Sequence, residues 1–123
     1  MAGRSRVVTV VLWILQVLLA VAFVGAGGAK LAGARDMVDM YNTIGFGQWF
    51  RYVTGIIEVG SAVVLLVPRV AVFGALLLAC TMIGAIVAHY TVLHVPATGP
   101  IILLLVTAVI TWLRREQLAA AIA

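Results

Sequence analysis

From Val7 to Ala29 the chain runs for 23 residues without a charged side chain. About 20 predominantly apolar residues suffice to cross the ~30 Å hydrocarbon core of a bilayer at 1.5 Å per residue. A run of this length fits either a membrane span or a helix buried deep inside a large soluble protein. Size removes the second option. The chain has 123 residues, 65% of them hydrophobic and 10% charged, against roughly 45–50% and 25% in an ordinary soluble domain. A soluble domain this small leaves much of its surface in water, and this one lacks the polar residues to cover it. A mean hydropathy of +1.24 excludes a disordered tail in the same way. The eight Lys and Arg outnumber the four Asp and Glu, but they stand singly or in pairs. No basic patch forms for nucleic acid, so the excess is topological information. The single cysteine rules out an intrachain disulfide.

The expected fold is all-α: one membrane domain over residues 1–123, a four-helix bundle with spans at about 7–29, 52–67, 70–90 and 99–113. The first span is longer than the apolar stretch of a cleavable signal peptide. Pro68–Arg69 makes a tight turn between the second and third spans. Thr98 is positioned to cap the fourth span, Pro100 falls in its first turn, and the stems of Arg114 and Arg115 extend it. Arg4, Arg6, Arg69, Arg114 and Arg115 fall on one side, and Lys30, Arg35 and Arg51 on the other. The imbalance predicts a multi-pass protein of the cell membrane with both termini in the cytoplasm. Trp13 and Trp112 then mark the inner interface, and Tyr41, Trp49, Phe50, Tyr52 and Tyr90 the outer one.

The longest connection runs from Leu31 to Arg51. Met37, Met40, Tyr41 and Ile44 recur there at helical spacing, with Asp36 and Asp39 off the stripe and Gly45 and Gly47 closing it. This predicts a short interfacial helix lying as a lid over the bundle; an ordinary connecting loop fits the same residues.

Lipid cannot solvate a charge, so an acid inside a span turns inward and finds a partner. Glu58 is the acid within a span, roughly 9–10 Å below the outer start of the second one. Lys30 ends the first span and His89 lies near the end of the third, both in the outer half. Arg51, Thr54 and Glu58 share one helix face. Small residues accompany each of these groups: Ala22, Ala26 and Gly27 near Lys30; Gly55, Ser61 and Ala62 around Glu58; Gly74, Thr81 and Ala85 before His89. Close helix approach in membranes favours such faces. The candidate polar site is therefore Lys30, Glu58, His89, Arg51 and Thr54, with Asn42 to cap or close the lid. Each has a plainer use. Lys30 can snorkel at a helix end, Glu58 can form a structural ion pair, and His89 can sit at the interface as a hydrogen-bonding side chain. His94 reads as solvated and Cys80 as an inert packing residue.

No HExxH, no Cys/His cluster at zinc spacing, no GxSxG and no phosphate loop is present. These absences argue against an autonomous metal or covalent enzyme, and no catalytic residue or intrinsic cofactor is expected.

The stretches GAGGAKLAG (25–33) and YNTIGFGQWFRYVTGIIEVGSAVVLLVPR (41–69), followed by AHY (88–90), resemble the DoxX-like family of four-helix membrane proteins. The resemblance rests on Lys30–Leu31, Ile44–Gly45, Gly55 with Glu58, and Leu66 through Arg69, in order and at family spacing. Gly47 departs from the pattern, standing near where many relatives have proline. The resemblance implies an integral membrane bundle but not one activity. Some relatives are named as small subunits of thiosulfate:quinone oxidoreductase or as parts of other membrane oxidoreductase complexes.

Three functions remain open. The first is a non-catalytic membrane module that works with protein partners or as a homo-oligomer in the lipid bilayer. The second is a subunit of a membrane oxidoreductase whose Lys30, Glu58 and His89 bind a quinone head group or pass protons. The third is a small proton-coupled transporter, although small multidrug transporters carry their essential acid in the first span, where this chain has none.

Overall fold

A computed structural model describes residues 5–122. Arg4, counted above for orientation, lies outside them. The described chain is all-α, with no strand. Its helices are α1 (Arg6–Ala32), α2 (Arg35–Ile44), α3 (Gln48–Leu65), α4 (Ala71–Ala88), α5 (Thr98–Leu113) and α6 (Arg115–Ile122). A π-helical turn, His89–Leu93, continues α4.

Local chemistry sets the ends of these helices. The Ser5 hydroxyl accepts from the Val8 N–H at 3.1 Å and starts α1. Gly33, at φ 74°, ends it; the Ala34 N–H reaches back to the Ala29 carbonyl at 3.0 Å. A side chain with a β-carbon is strained at that φ, so glycine suits the turn. Pro68 and Arg69 lie in the turn between α3 and α4, as expected. The start of α5 differs from the expectation. Thr98 is the first helical residue, Ala97 is the capping position, and no side chain caps the end. The helix expected as the second span begins at Gln48 rather than Tyr52, because a helix can start on polar and aromatic residues that do not read as an apolar run. Arg114 breaks the helix at φ −110°, and α6 follows, a segment the sequence reading did not contain.

In the packed protein α1 lies on α3, α3 on α4 and α4 on α5, while α5 also touches α1. Leu12, Leu19, Ala20 and Phe23 of α1 meet Ala62 and Leu65 of α3, Ala75, Leu78 and Met82 of α4, and Ile110 of α5 in one apolar core. Glycines let the helices come this close. A β-carbon on Gly27 would stand 2.8 Å from the Gly55 carbonyl oxygen, and one on Gly55 would stand 3.0 Å from the Gly27 carbonyl oxygen. Further along, a β-carbon on Gly74 would meet the Ser61 carbonyl oxygen at 2.7 Å, where α4 crosses α3. The small faces anticipated around Lys30, around Glu58 and before His89 are thus contact faces at Gly27, at Gly55, Ser61 and Ala62, and at Gly74. Ala22, by contrast, is exposed. So is Cys80, which points away from the core instead of packing within it.

Arg6–Ala32 and Ala71–Leu93 (α4 with its π-helical turn) are each long and apolar enough to cross a membrane, and Thr98–Leu113 is a shorter apolar helix. Only 28% and 33% of the most apolar windows of the two long helices is buried by the protein itself. A soluble core helix would be mostly covered. Here Val7, Val10, Ile14, Val17, Val21 and Val24 form an exposed stripe along α1, and an apolar surrounding must supply its cover.

Candidate functional site

Glu58 is 2% exposed and lies in the middle of α3, on the face turned towards α1. Lys30 lies in the last turn of α1. The two helices cross at Gly27 and Gly55, each within one turn of a charged residue. That close crossing brings the side chains together: Lys30 Nζ stands 2.6 Å from Glu58 Oε1. The lysine side chain is 11% exposed and the glutamate 2%, so both charges are largely withdrawn from solvent. Such a pair is expensive to bury and more expensive to break, since removing one partner leaves the other uncompensated.

Arg51 is also buried, one turn into α3. Its guanidinium donates through Nη1 to the Lys30 backbone carbonyl and through Nε to Gln48 Oε1 at 2.7 Å. It also stacks on the Tyr52 ring, 4.3 Å from its centroid. The last carbonyls of a helix lack internal partners and carry partial negative charge. The Lys30 carbonyl takes the Gly33 N–H at 3.3 Å, and Arg51 adds a second donor from another helix and thereby fixes the backbone that carries Lys30. Gln48 completes the network: its Nε2 donates to the Val38 carbonyl at 3.0 Å and to Asn42 Oδ1 at 2.8 Å, both on α2.

Tyr41 is the buried residue of α2. Its ring packs on Phe50 at 5.8 Å between centroids, and its phenol faces Thr54, one turn from Glu58. Burial pushes the phenol above its ordinary pKa. Met37, Met40 and Ile44 are partly covered alongside it, while Asp36 and Asp39 stay exposed. The helical stripe read from the sequence is the face that α2 turns inward.

The structure therefore gathers Lys30, Glu58, Arg51, Thr54 and Asn42 at one end of the packed helices. Thr54 spends its hydroxyl proton on its own helix, donating to the Phe50 carbonyl at 2.8 Å. His89 stands apart. It begins the π-helical turn, and its Nδ1 lies 2.7 Å from the Ala85 carbonyl on its own helix, where the tautomer with a proton on Nδ1 donates. His94 is exposed, at the left-handed φ of 53°.

Sequence reasoning missed two features. Gln48 had no signal, because an amide at a helix start usually faces water. The second is a polar cluster at the opposite end. Gln16, fully buried in α1, donates through Nε2 to the Leu65 carbonyl at 2.7 Å and accepts from Arg114 Nε at 2.5 Å. The Arg114 guanidinium also lies 5.0 Å from the Trp13 ring centroid. Gln117 of α6 accepts from the Val72 N–H at 3.1 Å and donates to the Pro68 carbonyl. An uncharged amide inside an apolar span was the available signal for Gln16. Among the described residues no group of three or more potential metal ligands comes together.

No curated protein and no solved structure matches the chain. A DoxX-like family profile matches residues 14–114, a range that contains Lys30, Arg51, Glu58 and the helices that carry them. With most of its length matched, and with apolar helices that leave their outer faces uncovered, this small membrane protein belongs to the DoxX-like family.

Proposed function

We propose that the protein is a non-catalytic module of the cell membrane, a four-helix bundle built from α1, α3, α4 and α5 that works in association with partner proteins. Both termini face the cytoplasm, which puts the Lys30–Glu58 pair in the outer half of the bilayer and the Gln16–Arg114 cluster near the inner surface. Helices of 27 and 23 residues span about 40 and 35 Å at 1.5 Å per residue, enough for the ~30 Å core. The 18 residues of α3 and 16 of α5 give about 27 and 24 Å, and flanking arginines and aromatic residues extend their reach.

The observation that carries this reading is the 2.6 Å ion pair between Lys30 and Glu58. Each charge already has its partner within the chain, as a pair that fixes helix packing requires, and neither is held open for a reacting group. The test is to purify the chain in lipid and assay its extract for quinone, with reporter fusions at each terminus. The expected result is no stoichiometric quinone and both reporters on the cytoplasmic side. A stoichiometric quinone that disappears in Glu58→Gln would overturn the non-catalytic reading in favour of an oxidoreductase subunit.

A further inference from the structure

We propose that α2 is a latched lid that controls access from the outer aqueous side to the Lys30–Glu58 pair. The proposal deepens the reading above and rests on it for which side is outer.

Four features of the segment carry it. First, α2 is short. Ten residues, with no side chain capping the N-terminus, are too few for a helix to persist alone in water. Docking keeps it formed. Second, two side chains tie α2 to α3, while its other covered residues lie in the packing against α1, α3 and the π-helical turn. Tyr41 is the plug, buried against Phe50 and over Thr54, one helical turn from Glu58. Gln48 is the latch, holding the Val38 carbonyl and Asn42 Oδ1 with its two amide protons.

Third, the three glycines with left-handed backbone among the described residues all bracket this helix: Gly33 at φ 74° before it, Gly45 at 88° and Gly47 at 102° after it. Glycine crosses between positive and negative φ at little cost, and hinges are made where a few residues absorb the change. Fourth, the outward face of α2 carries Arg35, Asp36, Asp39 and Thr43, all exposed. These groups remain hydrated whether the helix is docked or released, so opening exposes chiefly Tyr41 and its apolar neighbours.

Arg51 stands between the latch and what the lid covers. The same guanidinium holds Gln48 by Nε and the Lys30 carbonyl by Nη1. Gln48 and Arg51 both belong to α3, and the latch uses the other end of the Gln48 amide, so these two bonds persist when Gln48 lets go of α2. Opening therefore uncovers the pair while the backbone beneath Lys30 stays held.

The test uses the full chain in lipid vesicles with Cys80→Ser, which removes the native thiol. Thr54→Cys places a new thiol under the plug, and a charged, membrane-impermeant maleimide reports its exposure. The lid predicts slow labelling, accelerated about tenfold or more by Tyr41→Ala and also by Gln48→Leu. Tyr41→Phe keeps the plug's bulk and is expected to label at the parent rate. Amide hydrogen exchange of the unmodified chain is the second measurement, independent of any variant. Residues 35–44 are expected to exchange well ahead of residues 55–65. Equal labelling rates with and without Tyr41, or α2 amides as protected as those of α3, would overturn the lid. Acceleration seen only with reagent on the cytoplasmic side would keep the lid and refute the orientation. A quinone in the lipid extract would refute the non-catalytic reading without touching either rate.

Discussion

At position 27 there is no room for a methyl group. A β-carbon there would press on the Gly55 carbonyl oxygen at 2.8 Å and on Glu58 Cβ at 3.1 Å, and a backbone carbonyl cannot swing aside as a side chain end can. Gly27→Ala is therefore expected to lose about 1–3 kcal/mol, the usual cost of overpacking, by prising α1 from α3 at the crossing that sets the Lys30–Glu58 distance. Gly25→Ala is the control. Nothing lies within 4 Å of a β-carbon at that position, so thermal stability in detergent should hold or rise slightly through helix propensity. Equal losses from both substitutions would show that the crossing does not govern this stretch. The residues that make the site differ in how legible they were. Lys30 and Glu58 stood out because charge beside or within an apolar run is costly and demands a partner. Gln48 did not, because its role depends on where α2 folds back, which no local pattern encodes.

The helices show a shared solution to one problem. Where a helix stops near lipid, its last carbonyls have no water to satisfy them. Arg51 donates to the end of α1, and Gln16 donates to the Leu65 carbonyl at the end of α3. Each is supplied from a different helix, so satisfying the backbone also ties two elements together. Gln16→Leu fits the core in shape but removes both the bond to Leu65 and the one from Arg114. It is expected to destabilise the fold by at least about 1–3 kcal/mol, measured by chemical unfolding in micelles. An unchanged or higher stability would mean that these bonds are no better than apolar packing. At this scale α1 and the turn at Pro68 were readable from apolar run length and proline, and the Met37–Ile44 stripe pointed to α2 while leaving an ordinary loop open. The early start of α3 was not, since Gln48, Trp49 and Arg51 mask a helix from a search for apolar runs. Nor was α6, which depends on Gln117 reaching back to Val72 and Pro68 across the chain.

The whole molecule has an apolar middle closed by polar groups at both ends. Leu19, Ala20 and Phe23 of α1 and Ala62 of α3 are buried between the Lys30–Glu58 pair and the Gln16–Arg114 cluster. The outer faces of α1 and α4 are left to an apolar surrounding, so polarity in this protein lies inside and at the ends. That arrangement holds only if Lys30 and Glu58 depend on each other. A double-mutant cycle for unfolding, with Lys30→Met, Glu58→Gln and the two combined, tests this directly. Each single substitution should cost about 3–5 kcal/mol, because it strands a buried polar partner, and the double variant should lose less than the sum by more than ~1 kcal/mol. Losses that add to within about 0.5 kcal/mol would contradict the account.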